Sequence, residues 1–179
     1  LYLVSTPIGN LEDMSARAIR ILSQVSLIAA EDTRHSGKLL KHFEIETPMT
    51  SYYDHNKGSK TPYVLEKLAE ADIALISDAG TPGLNDPGYE LVKAAWENGH
   101  TVVPIPGPSA PITALVTSGL PTDRFLYLGY LPRKENDRQA AIREVAHLPY
   151  TLTFFETPHR LLDALEDLKA ELGDRKAAV

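Results

Sequence analysis

The segment from Asp72 to Gly88 constrains the fold of this chain more than any other stretch. The apolar run that ends at Ile76 predicts a short buried strand, and Ser77–Gly88 then contains three glycines and two prolines. Such a composition specifies unusual backbone torsions and a close approach of the main chain to a neighbour. Asp78 directly follows the strand, where open α/β sheets bind their ligands. The segment predicts a strand and a binding loop, with an ordinary turn-rich connection as the alternative.

Two further loops of similar composition follow predicted strands. Thr6–Gly9 follows the apolar run Leu1–Val4, and Pro106–Pro108 follows a strand predicted over His100–Ile105. Because parallel strands end at one edge of a sheet, we expect the three loops to converge there. The chain has neither a G-x-x-x-x-G-K-[ST] segment nor a G-x-G-x-x-G segment after a strand, which argues against a triphosphate and a dinucleotide. Exposed main-chain groups suit a ligand with amino, carboxylate and purine edges.

The order of the remaining elements indicates an α/β fold. A strand is predicted over Leu27–Ala30, and an exposed loop over Thr50–Lys60. Three helices are expected to begin with a capping residue followed by proline, at Thr61-Pro62, Asp86-Pro87 and Thr157-Pro158. The other predicted helices are Ser15–Val25 with Ser15 as N-cap, a short one around Leu39–Phe43, Tyr89–Asn98 and Ser109–Ser118. Strands that alternate with helices predict a parallel, doubly wound sheet.

The pattern changes after Gly119-Leu-Pro121. An aromatic strand, a charged helix, a second strand and a leucine-rich helix are predicted over Phe125–Tyr130, Glu135–His147, Thr151–Phe155 and Thr157–Leu172. We therefore expect an N-terminal α/β domain in residues 1–118 and the start of a second α/β domain in residues 119–179. The chain begins inside an apolar run, and Lys176–Val179 is typical of the first half of a strand. We expect both ends to be truncated relative to the natural protein.

Composition excludes several classes of function. Eighteen basic and twenty-four acidic residues give a net charge of −6, which argues against indiscriminate nucleic-acid binding but leaves room for local basic patches. The chain has no cysteine, so disulfides and thiolate metal sites are excluded. No apolar run approaches the roughly 20 residues of a membrane span. We expect a cytoplasmic protein that does not enter a membrane.

A polar cluster follows the predicted strand Leu27–Ala30. Glu31, Asp32 and Arg34 lie at the carboxyl end of that strand, where such residues would build a poor core. We expect them to line a cleft. The alternative is a salt-bridged helix start, with Asp32 or Thr33 as N-cap.

Two sets of basic residues are candidates for RNA contacts. Each of these residues alone is more typical of a solvated surface, but as two patches beside a cleft they could follow an RNA backbone. The candidates are Lys38, Lys41, Lys57, Arg133, Lys134 and Arg138. His35 and His42 lie two helical turns apart, which is weak evidence for a metal site, and we assign no metal.

Six ordered motifs carry a resemblance that spans essentially the whole chain. They are Thr6–Leu11, Ala30–Arg34, Ser77–Gly88, Pro104–Ala110, Gly119–Phe125 and Phe155–Arg160. In this order they resemble the small-subunit ribosomal RNA cytidine 2′-O-methyltransferases, a branch of the tetrapyrrole (corrin/porphyrin) methylase superfamily. Members of that family carry a further carboxyl-terminal stretch that completes the second domain.

The resemblance implies a cofactor, its contacts and its partners. S-adenosylmethionine is expected in a cleft between the two domains, the protein is expected to form a homodimer, and the partner is small-subunit ribosomal RNA or the ribosomal subunit. The implied cofactor contacts are Pro7, Gly9, Asp78, Ala79, Gly80, Thr81, Pro82, Gly83, Ser109, Ala110, Phe155 and Glu156. The alternatives to cofactor binding are structural roles: turn formation, helix capping by Ser109 and a core position for Phe155.

The implied reaction is transfer of a methyl group to the ribose 2′-hydroxyl of a cytidine. An alcohol is a weak nucleophile at neutral pH, so a base that accepts its proton should help. Glu31 and Asp32 are the candidate bases, and Arg34 is expected to orient the ribose or a phosphate. Two rivals stay open: a methyltransferase that acts on a carbon of a corrin or porphyrin, and a non-enzymatic nucleotide-binding module.

Overall fold

Five short parallel strands organise the first part of the computed structural model, which describes residues 1–179. They are β1 (Tyr2–Val4), β2 (Leu27–Ala30), β3 (Met49–Ser51), β4 (Ile73–Ile76) and β5 (Val103–Ile105). Their order in the sheet is β3-β2-β4-β1-β5, and every neighbouring pair is parallel. The predicted parallel α/β architecture is confirmed.

Helices cover both faces of this sheet. They are α1 (Ala16–Gln24), α2 (Thr33–His42), α3 (Lys57–Glu70) and α4 (Tyr89–Glu97), with a short 3₁₀ helix at Leu11–Asp13. Alternate strand residues serve opposite faces, because successive side chains of a strand point to opposite sides. Ile28 packs in the same cluster as Leu22 of α1 and Leu40 of α2, whereas Ala29 packs with Val64 of α3 and Leu91 of α4. The sheet is doubly wound.

A second compact unit runs from Ala110 to Val179. It contains α5 (Ala110–Thr117), β6 (Phe125–Tyr130), α6 (Glu135–Val145), β7 (Thr151–Phe155) and α7 (Leu161–Leu172). Strands β6 and β7 form a two-stranded parallel sheet. The division falls after Ser109, whereas the sequence suggested one after residue 118, because α5 packs on β7 of its own unit.

Three helix starts differ from the prediction. Helix α3 begins at Lys57, four residues before Thr61, so Pro62 lies inside the helix. At this sixth helical position the proline lacks the N–H that would bond to the Gly58 carbonyl, so the helix forms despite the loss of one main-chain bond. Helix α4 begins only at Tyr89, after Gly88 with φ 154°, and α7 only at Leu161. The Asp-Pro and Thr-Pro pairs therefore form the turns that lead into these helices.

The segment predicted as an exposed loop, Thr50–Lys60, is partly structural. Thr50 belongs to β3, and Tyr52 is completely buried in the cluster that also contains Val64. The Tyr52 hydroxyl lies 3.0 Å from Thr61 Oγ1, so a polar group is satisfied inside the core. The polar residues of this segment predict exposure, whereas the Tyr52 ring packs in the core.

The last residues also differ from the prediction. Lys176–Val179 form no strand and are exposed. None of the helices combines the length and the apolar character that crossing a membrane requires.

Candidate functional site

The loops after β1 and β4 are joined by a small antiparallel bridge. The Thr6 N–H donates to the Gly80 carbonyl at 2.9 Å, and the Gly80 N–H donates to the Thr6 carbonyl at 3.0 Å. The Thr6 hydroxyl, fully buried, donates to the Ser77 carbonyl at 3.2 Å. These bonds bring Pro7 and Gly9 to the same sheet edge as Ala79–Gly83, as the sequence predicted.

The loop after β5, residues 106–109, reaches the same place. Thr81 Oγ1 lies 3.1 Å from the Pro108 carbonyl oxygen and 3.2 Å from Ser5 Oγ. A Cβ at Gly107 would lie 2.9 Å from the Ser5 Cβ, closer than side chains tolerate. The predicted convergence of three loops is therefore a feature of the structure, and Ser109 stands at its end.

Glycine is required at Gly88, where the β4 loop folds back on itself. Its φ of +154° is rare for other residues, and an added Cβ would meet a Leu75 methyl at 3.0 Å and the Gly83 nitrogen at 3.1 Å. The fold-back leaves Ala79 and Gly83 exposed, while Pro82 is buried. The loop thus presents main chain with few side chains in the way.

The loops after β2 and β4 are interlocked by two carboxylates. The Asp78 Oδ1 accepts the Asp32 N–H at 3.1 Å, and Glu31 Oε2 lies 3.4 Å from the Asp78 nitrogen, which donates to it. The sequence singled out both residues, but it did not predict this reciprocal contact. Asp78 therefore holds the loop that carries the polar cluster.

A third carboxylate, Asp86, completes an acidic group at this edge. Burial raises the pKa of the Glu31 carboxyl, and the charges of Asp86 and Asp78 raise it further, while the Asp78 N–H opposes the change. Burial likewise raises the pKa of Asp86, and the charge of Asp78 raises it further. A half-buried carboxyl with a raised pKa is a better proton acceptor than an ordinary one.

Asp32 has a different environment. Its Oδ1 caps α2 by accepting the Arg34 N–H at 2.8 Å, and the Arg34 guanidinium makes two further bonds to the same carboxylate. These hydrogen bonds hold the pKa of Asp32 well below its usual range. A carboxylate so stabilised is a weak base. Asp32 is therefore the N-cap of a salt-bridged helix start, which was the alternative that the sequence offered.

Arg34 itself points to solvent, with 89% of its side chain exposed. Lys38 and Lys41 follow one and two turns later on α2 and are also exposed, and neither ammonium group has an ion-pair partner. The three residues therefore form a basic face directly after the polar cluster.

Two other candidates for RNA contact are occupied by internal partners. The Lys57 ammonium lies 3.1 Å from Asp54 and 2.6 Å from Glu90, and these bonds raise its pKa. Arg138 is buried, and its Nε donates to Asp167 at 2.6 Å. Arg138 is therefore withdrawn from the RNA-binding set, since a charge in the core needs its counter-ion. Arg133 and Lys134 remain exposed.

The predicted contacts Ala110, Phe155 and Glu156 belong to the second unit. Phe155 is partly buried, with the Tyr127 and Tyr130 rings 5.6 Å and 5.4 Å away. The Glu156 carboxylate accepts the Thr157 N–H at 2.7 Å and pairs with Arg160 at 3.1 Å. The Glu156 side chain is thus engaged internally.

Sequence reasoning missed Ser5, Thr6 and Asp86. Ser5 and Thr6 are buried and polar, directly after β1. Their signal was the same one that revealed Glu31: polar residues where a buried strand ends. The Asp86-Pro87 pair predicts a helix start, and the charge that Asp86 places near Glu31 follows only from the fold.

The whole chain, residues 1–179, matches the family model described as tetrapyrrole (corrin/porphyrin) methylases. It is 53% identical over 180 residues to a protein of Escherichia coli O157:H7 named ribosomal RNA small subunit methyltransferase I, covering 100% of this chain and 63% of that protein. A protein of the same name from Synechocystis sp. is 54% identical over 178 residues, covering 99% and 64%. The chain thus spans somewhat less than two thirds of the curated relatives it matches.

Solved structures share the fold at low sequence identity. Diphthine synthase matches with a TM-score of 0.71 and 14% identity, covering 95% of this chain and 70% of that one. Uroporphyrin-III C-methyltransferase from Thermus thermophilus, complexed with S-adenosyl homocysteine, matches with a TM-score of 0.63 and 20% identity, covering 97% and 77%.

Proposed function

The chain belongs to the tetrapyrrole (corrin/porphyrin) methylase family, and from this premise we propose that it is part of an S-adenosylmethionine-dependent methyltransferase. Its acceptor is the ribose 2′-hydroxyl of a cytidine in small-subunit ribosomal RNA. The observation that carries the proposal is the identity of about half of all residues, over the whole chain, to proteins named ribosomal RNA small subunit methyltransferase I.

The sheet edge in this structure fits the proposed cofactor. Gly9, Ala79 and Gly83 are exposed there, so main-chain groups are accessible to a ligand. The nearby carboxylates Glu31, Asp78 and Asp86 make the edge acidic, which favours a ligand with positive charge over a phosphate. We propose that Pro7, Gly9, Asp78–Gly83 and Ser109 hold the cofactor in the first unit. Ala110, Phe155 and Glu156 are the proposed contacts of the second.

When bound, S-adenosylmethionine supplies a methyl group on a positively charged sulfur. The task of the protein is then to position the acceptor hydroxyl and to accept its proton. Glu31 is the proposed base, because burial and the neighbouring carboxylates raise its pKa. Asp32 is the weaker candidate, since Arg34 stabilises its charge. Arg34, exposed beside it, is proposed to orient a ribose or a phosphate.

A radiolabelled methyl-transfer assay on the full-length protein tests this function. The acceptors are naked small-subunit RNA, assembled subunits and a corrin precursor, and label is expected in a ribose of one of the two RNA acceptors. An Asp78→Ala variant serves as control for labelling at the proposed site. Label in the corrin alone would establish the rival methylase. Binding of cofactor without transfer to any acceptor would favour a non-enzymatic module.

The basic face of α2 is the proposed RNA contact of the first unit. Arg34, Lys38 and Lys41 are exposed and lie beside the polar cluster. If they contact phosphates, RNA affinity should fall as salt rises, in proportion to the contacts made. Arg133 and Lys134 are the proposed RNA contacts of the second unit. Lys57 is proposed as a weaker RNA contact, because its ammonium group already pairs with two carboxylates.

Charge reversal tests this surface. Lys38→Glu with Lys41→Glu should weaken RNA binding and flatten its salt dependence, while cofactor affinity stays unchanged. The matched control is Lys67→Glu with Lys93→Glu, which changes the net charge equally on α3 and α4. Equal losses of RNA affinity in both double variants would show that the effect comes from net charge and not from contacts of α2.

The proposed setting is the cytoplasm, where ribosomal subunits are available, and the proposed assembly is a homodimer. Sedimentation of the full-length protein at several concentrations measures the assembly directly. A monomer at all concentrations would contradict the dimer and leave the methyl-transfer proposal intact.

A further inference from the structure

The Thr81 side chain has a role that main-chain binding of a cofactor does not require. Its Oγ1 lies 3.2 Å from Ser5 Oγ and 3.1 Å from the Pro108 carbonyl oxygen. A carbonyl oxygen only accepts hydrogen bonds, and a threonine hydroxyl has a single proton to donate. Thr81 therefore donates to Pro108 and accepts from Ser5. The direction of both bonds follows from this chemistry.

The three loops differ in how they are attached. The β1 and β4 loops are joined directly through the main chains of Thr6 and Gly80. The β5 loop is joined to the β4 loop by the hydrogen bond from the Thr81 hydroxyl to the Pro108 carbonyl. The main-chain bond just before the β5 loop, from the Ser5 N–H to the Ile105 carbonyl, is long at 3.4 Å. The position of the β5 loop thus depends on a side chain from another loop.

A close contact with Ser5 also restricts the position of the β5 loop. Gly107 lies against Ser5, where an added Cβ would be 2.9 Å from the Ser5 Cβ. Ser5 is itself buried, so it has little freedom to move away. One residue, Ser5, therefore both supports the loop and donates to the hydroxyl that holds it.

We propose that Ser5 and Thr81 are positioning residues, whose two hydroxyls set the β5 loop at the place where S-adenosylmethionine binds. The inference rests on the proposed function, because it gives the hydroxyl pair a role toward that cofactor. Neither hydroxyl takes part in the chemical step. Their loss should raise the KM for the cofactor and leave kcat at saturating cofactor nearly unchanged.

The test compares Thr81→Val with Thr47→Val in the full-length protein. Thr47→Val also removes a hydroxyl that donates to a main-chain carbonyl, that of Leu22 at 2.6 Å. Thr47 precedes β3, whereas the three loops follow the carboxyl ends of their strands. Affinity for S-adenosyl homocysteine is measured by calorimetry, and thermal stability by melting. Both variants should lose stability, and only Thr81→Val should bind about tenfold more weakly. Thr81→Ser, which keeps the hydroxyl, should restore binding.

Three results would overturn the inference: unchanged affinity in Thr81→Val, equal weakening in Thr47→Val, or no recovery in Thr81→Ser. If Thr81→Val fails to fold, Ser5→Ala carries the test, because it removes the donor to Thr81 and leaves the bond to Pro108. It should weaken binding by about threefold, and unchanged affinity would again overturn the inference. A parent protein that does not bind S-adenosyl homocysteine would overturn the proposed cofactor as well.

Discussion

Two regions of opposite character meet at the carboxyl edge of the five-stranded sheet. The hydroxyl region consists of Ser5, Thr6, Gly80, Thr81 and Pro108, joined by neutral hydrogen bonds.

The carboxylate region consists of Glu31, Asp32, Asp78 and Asp86, where burial and mutual repulsion shift the pKa values of Glu31 and Asp86 upward. Hydroxyl and amide groups do not titrate near neutral pH, whereas the raised pKa values of the Glu31 and Asp86 carboxyls bring these two groups closer to it. The first region is suited to holding a ligand, and the second to exchanging a proton.

Glu31→Gln should give the largest effect and tests the reactive side of the comparison. If Glu31 accepts the proton, kcat should fall by about 100-fold with near-normal cofactor affinity. A base acts only when deprotonated, so the parent's rate should fall at low pH. The raised pKa puts that fall above the ordinary carboxyl value of 4.5. The variant should lose this pH limb in a single-turnover assay.

Two controls accompany this measurement. Glu46→Gln changes an exposed carboxylate at the other edge of the sheet and should leave kcat unchanged. Asp32→Ala should lower kcat less than Glu31→Gln, because Arg34 already stabilises the Asp32 charge. Full activity in Glu31→Gln would make the carboxylate region structural, and the in-line geometry alone would account for the reaction.

Asp78 can be examined by two variants that separate charge from hydrogen bonding. Asp78→Ala removes both the charge and the acceptor of the Asp32 N–H, whereas Asp78→Asn keeps an oxygen acceptor. Calorimetry should give a loss of S-adenosyl homocysteine affinity of at least about tenfold for alanine and a smaller loss for asparagine. Unchanged affinity in folded Asp78→Ala would remove Asp78 from the cofactor site.

Gly107→Ala tests the close contact in the hydroxyl region. The added Cβ would lie 2.9 Å from the Ser5 Cβ, so one of the two loops must move. We expect a loss of about 1–3 kcal/mol in the free energy of unfolding, with weaker cofactor binding. Gly58→Ala is the matched control, since nothing lies within 4 Å of its added Cβ in helix α3, and it should stabilise by roughly 0.5 kcal/mol. Equal stability of both variants in denaturant melts would show that the contact is easily relieved.

Asp86→Asn should give the smallest effect, and of opposite sign. Because burial raises the pKa of Asp86, the folded protein binds this proton more tightly than the unfolded chain. The charged carboxylate therefore opposes folding above the folded pKa, and it does so least below the ordinary value of 3.8, where both states are neutral. The variant should melt at most about 2 °C higher at pH 7, and the gain should shrink toward pH 4. An exposed control, Asp174→Asn, should show no such gain.

Most of the fold was predictable because β2 and β4 are apolar throughout and the loops after β1, β4 and β5 are marked by glycine and proline. Strand β3, with the sequence Met-Thr-Ser, lacks this signal and was not predicted. Strands β2, β6 and β7 have the predicted bounds, and Ser15 caps α1 by accepting the Ala18 N–H at 3.1 Å. The helices predicted to end at Asn98 and Leu172 are followed by Gly99 and Gly173, and both glycines have positive φ. These are local signals, and the neighbouring residues determine them.

Other features depended on partners distant in sequence. Arg138 lies on a charged helix and is paired by Asp167, which stands 29 positions later. Tyr52 lies in a polar segment and is buried by the core around Val64. The reciprocal bonds of Asp78 with Glu31 and Asp32 join segments 46 and 47 positions apart. Sequence patterns place such residues on an element, but the contact itself is set by the topology of the sheet.

The buried Arg138–Asp167 pair bears on how the second unit reaches a single structure. Asp167 also accepts the Gln139 amide at 2.7 Å, so one carboxylate of α7 engages two neighbouring residues of α6. Leucine contacts between helices tolerate a slip of one turn at modest cost. The same slip would leave the buried Arg138 without its counter-ion Asp167, at a cost of several kcal/mol. The ion pair thus favours one register of α7 on α6, because other registers of the two helices are less stable during folding.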